Sequence, residues 1–246
     1  MLLRITSHAE WLEGRISDDG DGFVHLSGPE QVLTPANDRY AGRRDLLLLV
    51  LDEARLDGDV EVEGGFPHLY GTVGADAVTD VVGFACDDDG AFRLALVPMH
   101  AGAWPADDLV AAMVAEMEPL YGPIDGDDMP SARPEEMWAP AGTFLVGWDD
   151  TGRPVCGGGL KGLGEGVGEI KRMYVAPEAR GRGHARRLLT GLEDAARRHG
   201  YGRVRLDTGS KQPHALALYR SAGYREIASY NGNIRASYWG EKVLSP

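Results

Sequence analysis

The first third of the chain contains short apolar stretches, separated by polar residues, that are typical of strands. Leu46–Leu51 is an unbroken apolar run between two aspartates, which predicts a strand that is buried on both faces. Residues 22–27 and 78–84 predict two further strands, and residues 9–12 predict a short helix. Together these elements predict a small α/β unit.

From residue 92 onwards, strand-like and helix-like patterns alternate. Apolar residues recur at helical spacing in residues 106–118, and residues 184–199 form an amphipathic pattern that ends at Gly200. The other predicted elements are strands at 92–97, 169–175 and 203–207, a hairpin of 143–148 with 154–160, and a helix at 213–221. The whole chain is therefore predicted to belong to the α+β class.

The net charge of the chain, −13, is distributed unevenly. Residues 1–92 hold 19 of the 38 acidic residues but only 6 of the 25 basic residues, whereas residues 93–246 are balanced. Since an acidic protein binds polyanions poorly, we expect neither nucleic acid nor a membrane as a partner. The change in composition coincides with an acidic loop at 87–90, and it predicts one domain at 1–92 and a second at 93–246.

The cysteines and histidines of the chain point away from disulfide and metal chemistry. Cys86 and Cys156 are its two cysteines, and the first residues show no apolar leader, so we expect reduced thiols in a cytoplasmic protein. No pair of histidines has the spacing of metal ligands, so no metal is expected. His184 and His199 are interpreted as residues on the surface of the predicted helix.

A corner rich in glycine and arginine, residues 180–185 (Arg-Gly-Arg-Gly-His-Ala), joins the predicted strand at 169–175 to the helix that follows. Backbone N–H groups at a helix start have no intrahelical partner, and the helix dipole adds positive potential there. Such a corner suits a phosphate or a pyrophosphate. Taken alone, it is equally typical of a mobile surface corner, so both interpretations stay open.

The residues before and after this corner, taken together with it, resemble the motifs of a known family. Residues 180–185 fit the pattern Arg-x-x-Gly-x-Ala, they follow the stretch Glu-Ile-Lys-Arg-Met-Tyr-Val, and about thirty residues later comes Ala-Leu-Ala-Leu-Tyr-Arg-Ser-Ala-Gly-Tyr at 215–224. Together these motifs resemble the GNAT family of N-acetyltransferases over residues 93–246. The resemblance implies a mixed, mostly antiparallel sheet that is splayed at one strand, and an enzyme that uses acetyl-CoA.

The same resemblance implies roles for individual residues. The splayed strand would bind the pantetheine arm through the backbone of Met173, Tyr174 and Val175. The pyrophosphate would be held by the backbone of Arg180, Gly181, Arg182, Gly183, His184 and Ala185. Tyr219 falls where the family has a tyrosine that protonates the leaving thiolate, and Glu169 falls where some members have a general base. Gln212 stands where the family often has an asparagine, which weakens one expected contact with acetyl-CoA.

Two of these roles have structural alternatives. The less favoured alternative for Tyr219 is a core aromatic residue whose hydroxyl meets a backbone partner. Glu169 is equally interpretable as a solvated strand residue, in which case water takes the proton.

Residues 1–85 carry a second resemblance. The stretches Phe-Val-His-Leu-Ser at 23–27 and Phe-Pro-His-Leu-Tyr-Gly at 66–71 resemble a small bacterial domain catalogued as domain of unknown function 952. The resemblance implies a fold like that of the ADP-ribosyltransferase superfamily. His25 and His68 are interpreted either as core histidines satisfied by the backbone or as part of a polar cleft for a nucleotide-like ligand.

These features predict a two-domain bacterial acyltransferase that moves an acetyl group from acetyl-CoA to a primary amine of a small molecule or a peptide. A second hypothesis is an acetyl-CoA-sensing module that regulates an N-terminal nucleotide-binding domain. A third makes the first domain an NAD-consuming transferase. The oligomeric state stays open, with a homodimer among the alternatives.

The sequence does not name the acceptor, because the segments 120–140 and 230–238, which would choose it, carry no readable code. Acidic residues in the segment 120–140 hint at a cationic acceptor, but a solvated loop is the favoured interpretation; these residues are Asp125, Asp127, Asp128, Glu135 and Glu136.

Overall fold

The computed structural model describes residues 1–18, 20–122 and 132–245. Contacts along the chain define two compact units, one of Met1–Pro98 with Gly147–Pro154 and one of Met99–Val146 with Val155–Pro246. The predicted domain boundary at residue 92 stays a prediction. Helices and mostly antiparallel sheets confirm the predicted α+β class. None of the described helices is long and apolar enough to cross a membrane.

Residues 1–84 form two small antiparallel sheets. The strands are β1 (Leu2–Ser7), β2 (Arg15–Ile16), β3 (Val24–His25), β4 (Leu46–Leu51), β5 (Asp57–Glu63), β6 (Phe66–Gly74) and β7 (Val78–Phe84), and the helices are α1 (His8–Leu12) and α2 (Leu33–Tyr40). One sheet has the order β1-β4-β7, and the other has the order β2-β6-β3 with β5 paired to β6.

Strand β4 is buried along its whole length, as its unbroken apolar run predicts. Successive side chains of a strand point to opposite faces. Leu47, Leu49 and Leu51 accordingly share one face, where they pack in a buried cluster with residues of the second sheet and with Leu26, which follows β3. These partners are Ile16, Val24, Leu26, Leu69 and Val73.

Shortening one of these side chains should destabilise the first unit. Leu49 is fully buried, so we expect Leu49→Ala to lower the free energy of unfolding by about 2–5 kcal/mol, because it removes apolar contacts and leaves a cavity. Leu12 is 85% exposed, and Leu12→Ala should change stability by less than about 0.5 kcal/mol. Denaturant unfolding of both variants measures the difference, and an equal effect would contradict this description of the core.

Strand β1 was not predicted from the sequence, because two polar residues interrupt its apolar pattern. Arg4 and Thr6 are both buried. Each has polar partners: Arg4 donates to the carbonyl of His25 at 3.2 Å, and Thr6 donates to the carboxylate of Glu10 at 2.6 Å. Buried polar groups are tolerated when they are hydrogen-bonded, so this strand runs through the interior without the expected alternation.

The second part of the chain is built on a larger mixed sheet. Its strands are β8 (Leu94–Pro98), β9 (Thr143–Asp149), β10 (Pro154–Gly164), β11 (Val167–Val175), β12 (Arg203–Gly209), β13 (Arg225–Glu226) and β14 (Ala236–Val243). The helices are α3 (Ala106–Tyr121), α4 (His184–Arg198) and α5 (Pro213–Ser221). The strand order is β13-β14-β12-β11-β10-β9-β8. Each helix and strand predicted for this part lies within a few residues of a described element, whereas β13 and β14 were not predicted.

The sheet opens between β11 and β12. These two strands run parallel and pair only from Val167 to Glu169 on β11, opposite Arg203 to Arg205 on β12. Beyond Glu169 the strands diverge, while β11 stays paired with β10 on its other side up to Val175. This is the splayed geometry that the resemblance predicts, and it leaves one backbone edge of β11 facing a gap.

Candidate active site

A cleft of about 580 Å³ lies at the open edge of β11 and is also lined by residues of α3, α4 and α5. Most of the sequence-predicted site residues line it. These are Met173, Tyr174, Val175, Arg180, Gly181, Gly183, His184, Ala185, Gln212 and Tyr219. Arg182, which is also predicted, is not among the lining residues, and neither is Glu169.

The glycines of the corner are required by its backbone. Gly181 has a φ angle of +78° and Gly183 has a φ angle of +81°, a region that residues with a Cβ rarely adopt. A Cβ placed on either residue would meet nothing within 4 Å, so the space above the corner is open. Gly183 is the N-cap of α4, and no side chain caps this helix. An open, uncapped helix start is the geometry that binds a phosphate.

The flanking side chains are held by neighbours in the protein. Arg180 donates to the carbonyl of Val175 at 2.9 Å and forms an ion pair with Glu116 of α3 at 2.6 Å. His184 is 3% exposed, so its interpretation as a helix-surface residue is wrong. His184 lies in the first turn of α4, on the buried face of this amphipathic helix, so its ring is inside the protein.

A bulge in β11 shapes the edge that faces the cleft. The register between β10 and β11 shifts between the pairs Gly157–Tyr174 and Gly159–Lys171, so that two residues of β11 oppose one residue of β10. Arg172 lies in this bulge with a φ angle of +53°, which is rare for a residue with a side chain. A bulge re-aims neighbouring side chains, and here it brings consecutive residues of β11 to the cleft side.

Tyr219 lies on α5, where its side chain is buried and its hydroxyl is 3.9 Å from the sulfur of Met173. Burial, reinforced by the negative charge of Asp207, raises the pKa of the Tyr219 hydroxyl above its ordinary value of about 10. The hydroxyl therefore stays protonated at neutral pH and is able to donate a proton.

Glu169 is almost completely buried and surrounded by donors. Its Oε1 accepts hydrogen bonds from Tyr230 at 2.8 Å and Asn231 at 3.0 Å, and it lies 3.2 Å from the ammonium group of Lys171. Lys161 lies 3.7 Å from Oε2. Glu169 is thus a hydrogen-bonded carboxylate inside the protein, and the alternative of a solvated strand residue is wrong because its side chain is only 1% exposed.

A second cleft, of about 200 Å³, adjoins the first and shares lining residues with it. Met173, Gln212 and Tyr219 line both clefts. The second cleft is also lined by four charged residues, Lys171, Arg172, Asp207 and Arg235, and by the amide of Asn233. Sequence reasoning singled out none of these five residues individually, although Asn233 and Arg235 lie in the segment 230–238 that was expected to choose the acceptor. The Lys-Arg pair that follows Glu169 in β11 is a further signal that could have indicated the cleft.

Asp207 links the second cleft to Glu169. Its Oδ1 lies 2.5 Å from the ammonium group of Lys171 and accepts a hydrogen bond from Asn231 at 3.0 Å, while Oδ2 accepts one from Asn233. Lys171 and Asn231 each contact Glu169 as well. The two carboxylates therefore share two donors, Lys171 and Asn231, and Asp207 is the carboxylate that reaches the cleft.

The first unit has a cleft of its own, of about 310 Å³, that is lined by His25 and His68. Their rings lie 5.4 Å apart, and Phe23 stacks on His68 at 4.1 Å. The structure thus places both histidines at a cleft, as the second of the two interpretations expects. The kind of ligand stays a prediction.

Comparison with known proteins agrees with this geometry. The sequence profile of the acetyltransferase (GNAT) family matches residues 110–224, and the profile of a protein family of unknown function, DUF952, matches residues 5–81. An IAA acetyltransferase of Azospirillum brasilense is 33% identical over 145 residues, which span 57% of this chain and 94% of the relative. An uncharacterized N-acetyltransferase of Bacillus subtilis, YsnE, is 33% identical over 114 residues, or 44% of this chain and 75% of the relative.

A solved structure shows the same fold. The crystal structure of a GNAT-family acetyltransferase from Staphylococcus aureus Mu50 superposes with a TM-score of 0.52 at 17% identity, covering 62% of this chain and 99% of that protein. The splayed sheet and the glycine corner are thus found in a chain whose sequence and fold both match acetyltransferases. The chain therefore belongs to the acetyltransferase (GNAT) family, and it carries in addition a domain of the DUF952 family.

Proposed function

We propose that this protein transfers the acetyl group of acetyl-CoA to a primary amine of an acceptor molecule. The observation that carries the proposal is that two clefts meet at Met173 and Tyr219. The first cleft ends at the uncapped start of α4, which suits a pyrophosphate. The second is lined by polar groups, which suits an acceptor. A donor and an acceptor would thus face each other beside Tyr219.

The residues of the first cleft fit acetyl-CoA, which supplies the acetyl group as a thioester. The open glycine corner with its free space would accept the pyrophosphate. The unpaired edge of β11 at Met173–Val175 would offer backbone N–H and C=O groups to the pantetheine amides. Gln212 lines the same cleft, but its side chain oxygen already accepts a hydrogen bond from Thr208 at 3.1 Å, so its contribution to binding is small.

The proposed reaction needs one proton donor and one proton acceptor. The amine nitrogen forms a bond to the acetyl carbon while the carbon–sulfur bond breaks, so the amine loses a proton and the thiolate gains one. Tyr219 is the proposed donor to sulfur, because its hydroxyl is protonated and lines both clefts. Backbone N–H groups at the edge of β11 are the proposed stabilisers of the developing negative charge on oxygen.

Glu169 is the proposed final acceptor of the amine proton. Since its carboxylate lines neither cleft, the proton would reach it through its neighbours. Asp207 lies at the second cleft and is joined to Glu169 by Lys171 and Asn231. We therefore propose that the two carboxylates act as one unit, with Asp207 at the cleft side.

The test of this function is acetyl-CoA-dependent release of free thiol in the presence of a panel of primary amines, measured with the full chain. We expect release above the rate of hydrolysis with at least one amine. Stabilisation by acetyl-CoA without turnover of any amine would contradict the proposal and would favour the acetyl-CoA-sensing alternative.

Replacing Tyr219 by phenylalanine should slow catalysis without weakening acetyl-CoA binding. A thiolate leaves readily, so general acid assistance should lie at or below the low end of its usual range, and we expect kcat to fall about 10- to 100-fold. Unchanged acetyl-CoA affinity would mark a group that acts in the transition state.

Tyr224→Phe is the matched control for this variant. Tyr224 is also buried, and its ring lies 5.9 Å from that of Tyr219, but it lines neither cleft. Its variant should keep a normal kcat. If Tyr219→Phe instead lost stability by about 1–3 kcal/mol with normal turnover, the hydroxyl would be a structural group only.

A further inference from the structure

The second cleft holds two guanidinium groups that have no carboxylate partner among the described residues. Arg172 of β11 and Arg235, which precedes β14, both line the cleft and are half-buried. Arg172 donates to the carbonyl of Ala132 at 3.2 Å, and Arg235 lies 3.5 Å from the carbonyl of Gly122. Each guanidinium has five N–H donors, so most of them are available to a ligand.

The other charges of the cleft cancel among themselves. Lys171 lies 2.5 Å from Asp207 and 3.2 Å from Glu169, which compensates its charge. Arg172 and Arg235 thus leave the described lining with an excess of positive charge. Half-buried cations without counter-ions are unfavourable in a protein, and an anionic group of a ligand would compensate them.

The backbone at Arg172 is a second, independent sign of a built site. Its φ angle of +53° places it in the left-handed region, which is uncommon for arginine. Backbone strain of this kind persists where the surrounding structure requires a side chain to point in one direction, and it concentrates at ligand sites. Here the bulge brings the guanidinium to the cleft beside Lys171.

We propose that the acceptor carries a carboxylate on the same small molecule as its primary amine, as an amino acid does, and that Arg172 and Arg235 bind this carboxylate. Arginine binds carboxylates in a bidentate manner, which fixes the orientation of the ligand. The cleft volume of about 200 Å³ suits such a small acceptor, since sites for drug-sized ligands are larger. This inference rests on the proposed acetyl transfer to an amine.

The cleft charge differs from the sequence-based hint of a cationic acceptor. Asp125, Asp127 and Asp128, on which that hint depended, lie outside the described residues. Glu135 is exposed, and Glu136 lies 3.5 Å from Lys161; neither lines the second cleft. Among the described residues, the charge at the cleft therefore favours an anionic group.

The test compares L-amino acids with their carboxamides, which keep the amine and the side chain but lose the negative charge. Both sets are assayed as acceptors with acetyl-CoA, using the wild type, Arg172→Gln, Arg235→Gln and, as a control, Arg225→Gln on the exposed strand β13. The preference for acid over amide is compared between proteins, so the different basicity of the two amines cancels. We expect at least one amino acid whose preference falls about tenfold or more in Arg172→Gln and Arg235→Gln, but not in Arg225→Gln.

A binding measurement keeps this inference separate from the proposed reaction. Thermal stabilisation of the CoA-saturated protein by the same amino acids and carboxamides needs no turnover. Greater stabilisation by an acid than by its amide, lost in Arg172→Gln, would support the carboxylate site even if no acetylation occurred. Equal stabilisation by acids and amides, or an acid preference unchanged in Arg172→Gln, would overturn it. A loss of melting temperature alone in the variants, with the acid preference intact, would show that the arginines only anchor Gly122 and Ala132.

Discussion

Gly183→Glu should abolish the stabilisation of this protein by acetyl-CoA. The substitution places a carboxylate above the start of α4, where the pyrophosphate would lie, and like charges would then oppose each other. At a concentration of about 100 times the dissociation constant, acetyl-CoA should stabilise the wild type by about 2.7 kcal/mol. For a domain of this size, that corresponds to a rise in melting temperature of roughly 5–10 °C. A thermal melt with and without acetyl-CoA measures both proteins.

Gly200→Glu is the matched control for this variant. Gly200 follows α4 at its other end, has a φ angle of +78°, and has nothing within 4 Å of a Cβ. The two substitutions therefore impose the same backbone strain and the same charge, but only Gly183 lines the cleft. We expect Gly200→Glu to keep the full response to acetyl-CoA. A full response in a folded Gly183→Glu protein would refute the assignment of the glycine corner.

Glu169→Gln should lower kcat by about 100-fold or more, because removal of a general base typically costs 10²- to 10⁴-fold. Glutamine has nearly the same shape as glutamate, and its oxygen is still able to accept the hydrogen bonds from Tyr230 and Asn231. Lys171 keeps Asp207 as a counter-ion, so we expect the variant to fold. Steady-state kinetics and a thermal melt on the same preparation separate catalysis from stability.

Glu193→Gln provides the corresponding control. Glu193 is also buried and forms an ion pair with Lys242 at 2.6 Å, but it lies on α4 and lines neither cleft. Its substitution should lower stability and leave kcat unchanged. If Glu169→Gln behaved in the same way, Glu169 would be a structural residue, and Asp207 would be the remaining carboxylate at the cleft.

The sequence predicted those parts of the fold that local pattern determines. Burial on both faces is indicated by the unbroken apolar run of β4, and burial of one face by the amphipathic pattern of α4; the structure confirms both. The glycines at the corner indicate a backbone with positive φ angles, which the structure also confirms. Strand β1 was missed because its buried Arg4 and Thr6 interrupt the apolar pattern and are satisfied by hydrogen bonds. Thr6 bonds to nearby Glu10, but the partner of Arg4 is the carbonyl of His25, which only the tertiary structure brings close.

The candidate site was predictable only in part, for the same reason. Many residues of the first cleft lie in the continuous segment 173–185 around Gly181 and Gly183, so a local motif indicates it. The second cleft combines Arg172 of a bulge with Asp207 of β12 and Arg235, which meet only because the sheet opens beyond Glu169. Neither the bulge nor the opening of the sheet produces a periodic pattern of apolar and polar residues in the sequence.

In the proposed reaction, the acetyl group of acetyl-CoA is transferred to the nitrogen of an amine. Its most direct test uses acetyl-CoA with an isotopically labelled acetyl group, the full chain and a panel of primary amines, followed by mass spectrometry of the products. We expect a labelled amide on the acceptor nitrogen, formed by the wild type and strongly reduced in Glu169→Gln. Labelled acetate as the sole product, or no consumption of acetyl-CoA with any amine, would contradict it.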